Sequence, residues 1–169
     1  MSDTSGRDGA EVNMQTGATQ PVTLARRYPA APLVGVAAAV FNDAGEVLLV
    51  KRGRPPRQGH WGLPGGLLDL GERLADGARR EIMEECGIEV EISGLITAFE
   101  PIMRDDDGRV EYHFVVIDYW AVHIGGEARA SDDADDLAWV AQSAWAAYEL
   151  AAETLAVVES AHQHWLARS

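Results

Sequence analysis

The segment GLLDLGERLADGARREIMEECGI, residues 66–88, places four glutamates beside one apolar helical pattern. Glu72 precedes the pattern, and Glu81, Glu84 and Glu85 lie within it. Like charges three or four residues apart on a helix repel one another, and arginines are the only cations in this segment. Such a concentration of carboxylates indicates a site for a divalent cation, with a solvated acidic helix face as the alternative.

The pattern predicts a helix over residues 73–86, because apolar side chains recur every four residues and Gly87 supplies a stop at the end. With about 100° of rotation per residue, the three glutamates of the helix share an arc of about 100°. The adjoining arc carries the apolar residues Leu74, Ala75, Ala78, Ile82 and Cys86. The acids therefore flank a buried face, and Gly77 on the acid side is expected to leave room for another group to approach.

Nine positions of the segment match the pattern G-x5-E-x7-R-E-U-x-E-E-x-G-U, in which U is a bulky apolar residue. They are Gly66, Glu72, Arg80, Glu81, Ile82, Glu84, Glu85, Gly87 and Ile88. This pattern is the Nudix box, and residues 33–165 resemble the Nudix hydrolase superfamily, including the lead-in WGLPGG at 61–66. The resemblance implies an α/β (α+β) fold, in which the Nudix α/β/α sandwich is built around a mixed β-sheet.

The resemblance also implies roles for the residues of the box. Mg²⁺ or Mn²⁺, which prefer hard oxygen ligands, would be held by the carboxylates of the helix and by the carbonyl of Gly65 or Gly66. The metal-ligating carboxylates are Glu81, Glu84 and Glu85. Either Glu84 or Glu85 would take the proton from the attacking water. Arg80 would orient the glutamates, while Glu72, Gly66 and Gly87 would shape the loop–helix–loop segment.

Several residues outside the box are candidates for binding the substrate. The loop RGRPPRQGHWGLPGG, residues 52–66, is similar to that of the ADP-ribose pyrophosphatase branch. Its arginines Arg52, Arg54 and Arg57 are candidates for bidentate contact with phosphates. Glu100 and Glu111, predicted near strand ends, are candidates for a further ligand or a base. Phe99 and Tyr112 are candidates for stacking on a nucleobase, with packing in the core or along a strand as the alternative.

The predicted reaction is therefore cleavage of the pyrophosphate bond of a nucleoside diphosphate derivative, with ADP-ribose giving AMP and ribose 5-phosphate. A MutT-like nucleoside triphosphate pyrophosphohydrolase is one alternative. A nucleotide-binding Nudix domain without activity is another, and the intact set of box glutamates argues against it. A homodimer is also expected, because members of the family often pair.

Composition narrows the class of protein further. The 169-residue chain carries a formal net charge of −13, which excludes a general binder of nucleic acid polymers because such proteins need a basic face. No run of about 18 apolar residues exists, so no membrane span is expected. The single cysteine, Cys86, cannot form an intramolecular disulfide, which fits the reducing cytoplasm.

Turn and strand signals divide the chain into a flexible polar leader over residues 1–22 and one domain over residues 23–169. Strands are predicted at 33–41, 46–52, 88–100, 110–124 and 137–140. The connections between them are predicted as a loop at 52–66, a polar turn at 102–109 and an acidic loop at 125–136. A closing helix is predicted over residues 143–167.

Overall fold

The structure is a computed structural model that describes residues 25–131 and 134–168. The predicted leader over residues 1–22 lies outside these ranges. The described elements are, in chain order, β1 Leu33–Phe41, β2 Val47–Arg52, β3 Trp61–Gly62, β4 Gly65–Leu67, α1 Leu74–Cys86, β5 Glu89–Phe99, β6 Ile102–Arg104, β7 Val110–Gly125, β8 Ala134–Val140, a 3₁₀ helix Gln142–Tyr148 and α2 Ala152–Ala167.

The strands form a mixed sheet in which the order β3-β2-β1-β7-β5 makes the central path. β1 and β7 are parallel, with Leu33 opposite Phe114 and Phe41 opposite Val122, whereas β5 and β2 run antiparallel to their neighbours. β7 is thus a central strand, as predicted. The short strand β4 pairs with residues 35–37 of β1. β8 pairs with β2.

The two helices cover opposite faces of this sheet. Ala38 and Val40 of β1 pack in one core cluster with Ile82 of α1, while their neighbours Ala39 and Phe41 pack in a second cluster that contains residues of α2. Because successive side chains of a strand point to opposite faces, each helix occupies its own face. The predicted α/β/α sandwich around a mixed sheet is confirmed.

Several predicted element boundaries were wrong, mostly where short strands depend on partners distant in sequence. The predicted loop over 52–66 contains β3 and β4, and the predicted turn over 102–109 begins with β6. These pieces of two or three residues show no alternation of their own and are held by pairing with β2, β1 and β7. Likewise, β8 begins at Ala134, inside the predicted acidic loop, because it pairs with β2.

The closing helix also differs from its prediction. Residues 143–167 are split into the 3₁₀ helix and α2, because Glu149 adopts a left-handed conformation with φ of 47° between them. In α1, Leu74 was predicted on the buried face but is 37% exposed, since the buried part of the helix begins at Gly77. No helix within the described ranges is long and apolar enough to cross a membrane.

Candidate active site

Core packing fixes the rotation of α1. Ile82 and Cys86 are fully buried against β1 and β5, and Gly87 ends the helix in a left-handed conformation with φ of 70°. Glu81 and Glu85, one residue before each buried side chain, are therefore half-buried at the edge of the core. Glu84, on the outer side, has a side chain that is 60% exposed.

Arg80 holds the acidic residues of the box together. Its Nε and Nη2 donate to the two carboxylate oxygens of Glu72, each at 2.9 Å, in a side-on bidentate pair. Its Nη1 donates to Glu81 at 2.9 Å and to Glu84 at 3.1 Å, and Nη2 also donates to the carbonyl of Leu67 at 3.0 Å. A planar guanidinium can make these bonds at once because its donors are arranged as a rigid fork.

The side chains of Leu68 and Glu72 pack against the backbone at Gly77. A Cβ added there would lie 2.8 Å from Leu68 Cδ1 and 2.9 Å from Glu72 Oε2. The prediction that this glycine leaves room for another group is confirmed, and the groups that approach are the side chains of Leu68 and Glu72. Glu72 Oε2 also accepts a hydrogen bond from the Asp69 N–H at 3.1 Å, which ties the loop before α1 to the helix.

Two consecutive glycines let α1 and β1 pack closely against β4. A Cβ on Gly66 would overlap the Glu81 carboxylate, and a Cβ on Gly65, whose φ is 155°, would overlap the Val36 carbonyl of β1. With no side chain in the way, the Gly65 N–H donates to Glu85 Oε2 at 3.1 Å. β4 therefore sets the positions of the carboxylates of α1, and the close contact requires glycine at both positions.

The glutamates of α1 line a cavity of about 300 Å³ together with arginines from other elements. The acidic lining residues include Glu81, Glu84 and Glu85. The basic ones are Arg26, Arg52, Arg54 and Arg57. The three arginines predicted from the loop before the box thus reach the same cavity as the three predicted metal-ligating glutamates. A substrate in this cavity would contact cationic and anionic side chains at once.

Burial changes the acidity of two of these residues. Desolvation raises the pKa of the Glu81 carboxyl, although its hydrogen bond and ion pair with Arg80 act in the opposite direction. Desolvation also lowers the pKa of Arg52, whose Nε donates to the Pro56 carbonyl at 3.1 Å. An anion would stabilise the charged form of Arg52, and a cation would stabilise the charged form of Glu81.

Arg26 was missed in the sequence analysis. The segment before β1 places Arg26 at the cavity, because several contacts hold the nearby Tyr28 in position. The Tyr28 N–H donates to the Glu111 carbonyl at 2.7 Å, and its hydroxyl donates to Asp105 Oδ2 at 3.0 Å. The guanidinium carbon of Arg27 lies 5.1 Å from the centre of the Tyr28 ring. The two hydrogen bonds join residues about 80 positions apart, and no local sequence signal predicts them.

Two predicted substrate-binding residues are not among the described residues that line the cavity. Glu100 is exposed after β5, and Tyr112 of β7 stacks on Phe114 at 6.3 Å between ring centres. Glu111, considered as an additional ligand or base, accepts a hydrogen bond from Arg27 Nε at 2.8 Å. Phe99, the other predicted stacking residue, does line the cavity, and so does Phe114, the stacking partner of Tyr112.

Asp118 is a second lining residue that the sequence analysis missed. It lies in the middle of β7, is 2% exposed, and its Oδ2 has no hydrogen-bond partner among the described residues. Desolvation raises the pKa of this carboxyl to about 7. In the sequence, this aspartate stands within the apolar run FVVIDYW, whose alternation does not indicate that one face borders a cavity.

Comparison with known families now identifies the domain. A model of the NUDIX domain matches residues 31–164. The chain belongs to this family. The match includes the box, the strands on both sides of it and most of α2, which confirms the predicted family. The prediction of a hydrolase acting on pyrophosphate bonds is confirmed at the level of the family.

Curated relatives of this Nudix domain carry pyrophosphatase names. An ADP-ribose pyrophosphatase from Methanocaldococcus jannaschii is 34% identical over 105 residues, which are 62% of this chain and 59% of the relative. A putative 8-oxo-dGTP diphosphatase from Bacillus subtilis is 38% identical over 73 residues, which are 43% of this chain and 47% of the relative. The match to each of these relatives thus spans less than two thirds of its length.

Solved structures agree with the Nudix fold. A MutT NUDIX hydrolase from Burkholderia pseudomallei is 34% identical and superposes with a TM-score of 0.62 over 77% of this chain and 98% of that one. The NUDIX domain of Shewanella oneidensis NrtR, in complex with ADP ribose, is 26% identical with a TM-score of 0.63 over 80% and 89%. The expected homodimer and the expected cytoplasmic location stay predictions.

The donor set of this Nudix domain fits a divalent cation. Three carboxylates and the backbone of Gly65 line one cavity, and these oxygens are the hard ligands that such ions prefer. In the described ranges, no three His, Cys, Asp or Glu side chains already converge on one point, because Glu81 and Glu84 turn towards Arg80 and Glu85 towards the Gly65 N–H. Glu81, Glu84, Glu85 and the Gly65 backbone are the groups that would hold such an ion.

Proposed function

We propose that this Nudix domain is a divalent-metal-dependent pyrophosphohydrolase that cleaves ADP-ribose to AMP and ribose 5-phosphate. The observation that carries the proposal is the placement of Glu81, Glu84 and Glu85 in one cavity with four arginines. The pyrophosphatase relative from Methanocaldococcus jannaschii and the ADP ribose bound by the NrtR domain support the choice of substrate.

The arginines supply the charge that a pyrophosphate needs. ADP-ribose carries two bridged phosphates, and guanidinium groups bind phosphate oxygens bidentately. Arg52 ends β2, Arg54 and Arg57 lie in the loop between β2 and β3, and Arg26 lies in the segment before β1. Arginines from two separate segments would hold the phosphates from more than one direction and fix the bridging bond against α1.

The three glutamates of α1 have different contacts, so we assign them different roles in the reaction. Glu85 is fixed by the Gly65 N–H, and Glu81 is half-buried against Arg80. Both are suited to a fixed ligand role. Glu84 accepts a hydrogen bond from Arg80 at 3.1 Å, but its side chain is 60% exposed, so it is a candidate to accept a proton from the attacking water, as is Glu85.

Hydrolysis adds the water oxygen to one phosphorus and breaks the bridging P–O bond, so that AMP and ribose 5-phosphate each keep one phosphate. A divalent cation bound by the three glutamates would neutralise the charge on the bridge and lower the pKa of the attacking water. Arg80 would keep the glutamates in their relative positions during this step, because it bonds Glu72, Glu81 and Glu84 together.

A MutT-like nucleoside triphosphate pyrophosphohydrolase is the second candidate. It is favoured by the 38% identity to the putative 8-oxo-dGTP diphosphatase and by the 34% identity to the MutT NUDIX hydrolase. The carboxylate site would serve both reactions. The substrates differ in what is attached beyond the phosphates.

A substrate panel separates these candidates. The protein is incubated with Mg²⁺ or Mn²⁺ and with ADP-ribose, other nucleotide sugars, NADH, dinucleoside polyphosphates or 8-oxo-dGTP, and the products are identified by mass. Preferential release of AMP and ribose 5-phosphate supports the proposal, whereas preference for a nucleoside triphosphate moves the protein to the second candidate. Failure to turn over any substrate with either metal contradicts both and favours a binding domain.

Two variants test the assignment to α1. Glu85→Gln removes a charge from the proposed metal site, so turnover should fall by orders of magnitude. Glu159→Gln removes an exposed charge from α2 and serves as the matched control. Near-normal turnover by folded Glu85→Gln protein would remove Glu85 from the proposed centre.

A further inference from the structure

The central strand β7 carries a buried carboxyl group that the proposed mechanism does not use. Asp118 lies between Ala37 of β1 and Thr97 of β5, and only 2% of its surface is exposed. Its Oδ2 has no hydrogen-bond partner in the described part of the chain. Burying a polar group without a partner is costly, so such a group calls for a ligand or another explanation.

The surroundings of Asp118 limit what that ligand can be. Phe114, Val116 and Asp118 alternate along β7 and therefore share one face, and all three line the cavity. Phe99 and Met103 extend this lining. We call Phe99, Met103, Phe114 and Val116 the apolar wall. Of the described lining residues in β5, β6 and β7, Asp118 is the only polar one.

An apolar wall with a single polar group matches a nucleobase better than a sugar. A ribose presents several hydroxyls, and each needs a polar partner when it leaves water. A nucleobase presents two flat apolar faces and confines its polar atoms to the edge. The wall can cover a face of the base, and one carboxyl can meet the edge.

We propose that Asp118 recognises the nucleobase of the substrate by accepting a hydrogen bond from the amino group of an adenine that packs on the apolar wall. This inference rests on the proposed function, because it takes ADP-ribose as the substrate. Asp118 is thus a specificity-determining residue, separate from the carboxylates of α1 that act on the pyrophosphate.

The protonation state of the buried carboxyl supports this assignment. Desolvation raises the pKa of Asp118 to about 7, so a large share of the group is un-ionised near neutral pH. An un-ionised carboxyl has one donor and one acceptor. It can therefore accept from the adenine 6-amino group while it donates to the neighbouring ring nitrogen N1.

The test measures equilibrium binding and requires no turnover. The protein is titrated by calorimetry with AMP and with purine riboside 5′-monophosphate, which has hydrogen in place of the 6-amino group. The unmodified protein should bind AMP about tenfold or more tightly, because the analogue leaves the buried carboxyl unpaired. Equal affinities, or no measurable binding of AMP, would overturn the proposal.

Three variants separate recognition from a structural role. Asp118→Leu should remain folded and bind both nucleotides equally, whereas Asp118→Asn should keep the preference because an amide also offers a donor and an acceptor. Thr97→Val, on the neighbouring strand, is the control and should keep the preference. If Asp118→Leu and Asp118→Asn both melt far below the unmodified protein, Asp118 is structural and the proposal fails.

Turnover of ADP-ribose, measured in parallel, reports on the proposed function separately. Hydrolysis of ADP-ribose with equal affinity for the two nucleotides would leave the function standing and refute the role of Asp118. A clear preference for AMP without hydrolysis would support the role of Asp118 and refute the proposed reaction.

Discussion

Replacing Asp118 by asparagine should change how the stability of the protein depends on pH. The carboxyl has a pKa of about 7 in the folded protein, against an ordinary value of 3.8, because burial disfavours its ionised form. Asparagine is nearly isosteric and carries no titratable proton. The difference in free energy of unfolding between the two proteins therefore isolates the ionisation of this one group.

The sign follows from proton binding. Between pH 3.8 and about 7, the folded state keeps the proton on Asp118 while the unfolded state has released it. Stability falls with pH wherever the folded state binds more protons, so the unmodified protein should lose stability relative to Asp118→Asn across this window. The difference between the two pKa values corresponds to a total loss of about 4 kcal/mol.

Urea unfolding at a series of pH values from 4 to 8, without nucleotide, measures this difference. The difference in free energy of unfolding should change steadily up to pH 7 and level off above it. Asp43→Asn, which removes an exposed carboxyl in the β1–β2 turn, is the matched control. A flat difference for Asp118→Asn across the whole range would show that the carboxyl titrates normally and would refute the reasoning.

Three further predictions concern α1 and the strand beside it. Arg80→Lys should lower kcat for ADP-ribose at least tenfold, since an ammonium group cannot reproduce the fork of bonds to three carboxylates. Gly66→Ala should lower kcat by a similar or larger factor, because its Cβ overlaps the Glu81 carboxylate, whereas Gly125→Ala, whose Cβ would lie 3.4 Å or more from its neighbours, should retain activity. Cys86, buried with its thiol pKa raised to about 12, should react with a thiol reagent only after unfolding, as followed by absorbance.

The parts of the site that were predicted correctly are encoded locally. The start and end of α1 were predicted to within one residue, because the apolar spacing and Gly87 lie within the segment itself. The arginines of the 52–57 loop reach the cavity because that loop leads directly into the box. In both cases, residues close in sequence determine the geometry, so the sequence pattern is sufficient.

The parts that were missed depend on contacts across the fold. Arg26 reaches the cavity because Tyr28, with φ of 52°, is held by Asp105 and Glu111, which lie far away in sequence. The role proposed for Asp118 depends on the apolar wall around it. An aspartate within a strand does not reveal whether the face it occupies is solvent, core or cavity, and that distinction appears only once the sheet is assembled.

The burial of Asp118 and Glu81 indicates that this domain gives up some folding stability to form its binding site. Desolvation raises the pKa of both carboxyls, so at neutral pH the protein holds them in an environment that disfavours their charged forms. A core optimised only for folding would replace such groups with apolar ones, and removing them often stabilises a protein while impairing its function. Different ligands would offset the desolvation of the two carboxyls. A divalent cation would do so at Glu81, and the hydrogen-bonding edge of a base would do so at Asp118. Metal and AMP should each raise the melting temperature, and Asp118→Leu should reduce the rise with AMP to that seen with purine riboside 5′-monophosphate while leaving the rise with metal unchanged.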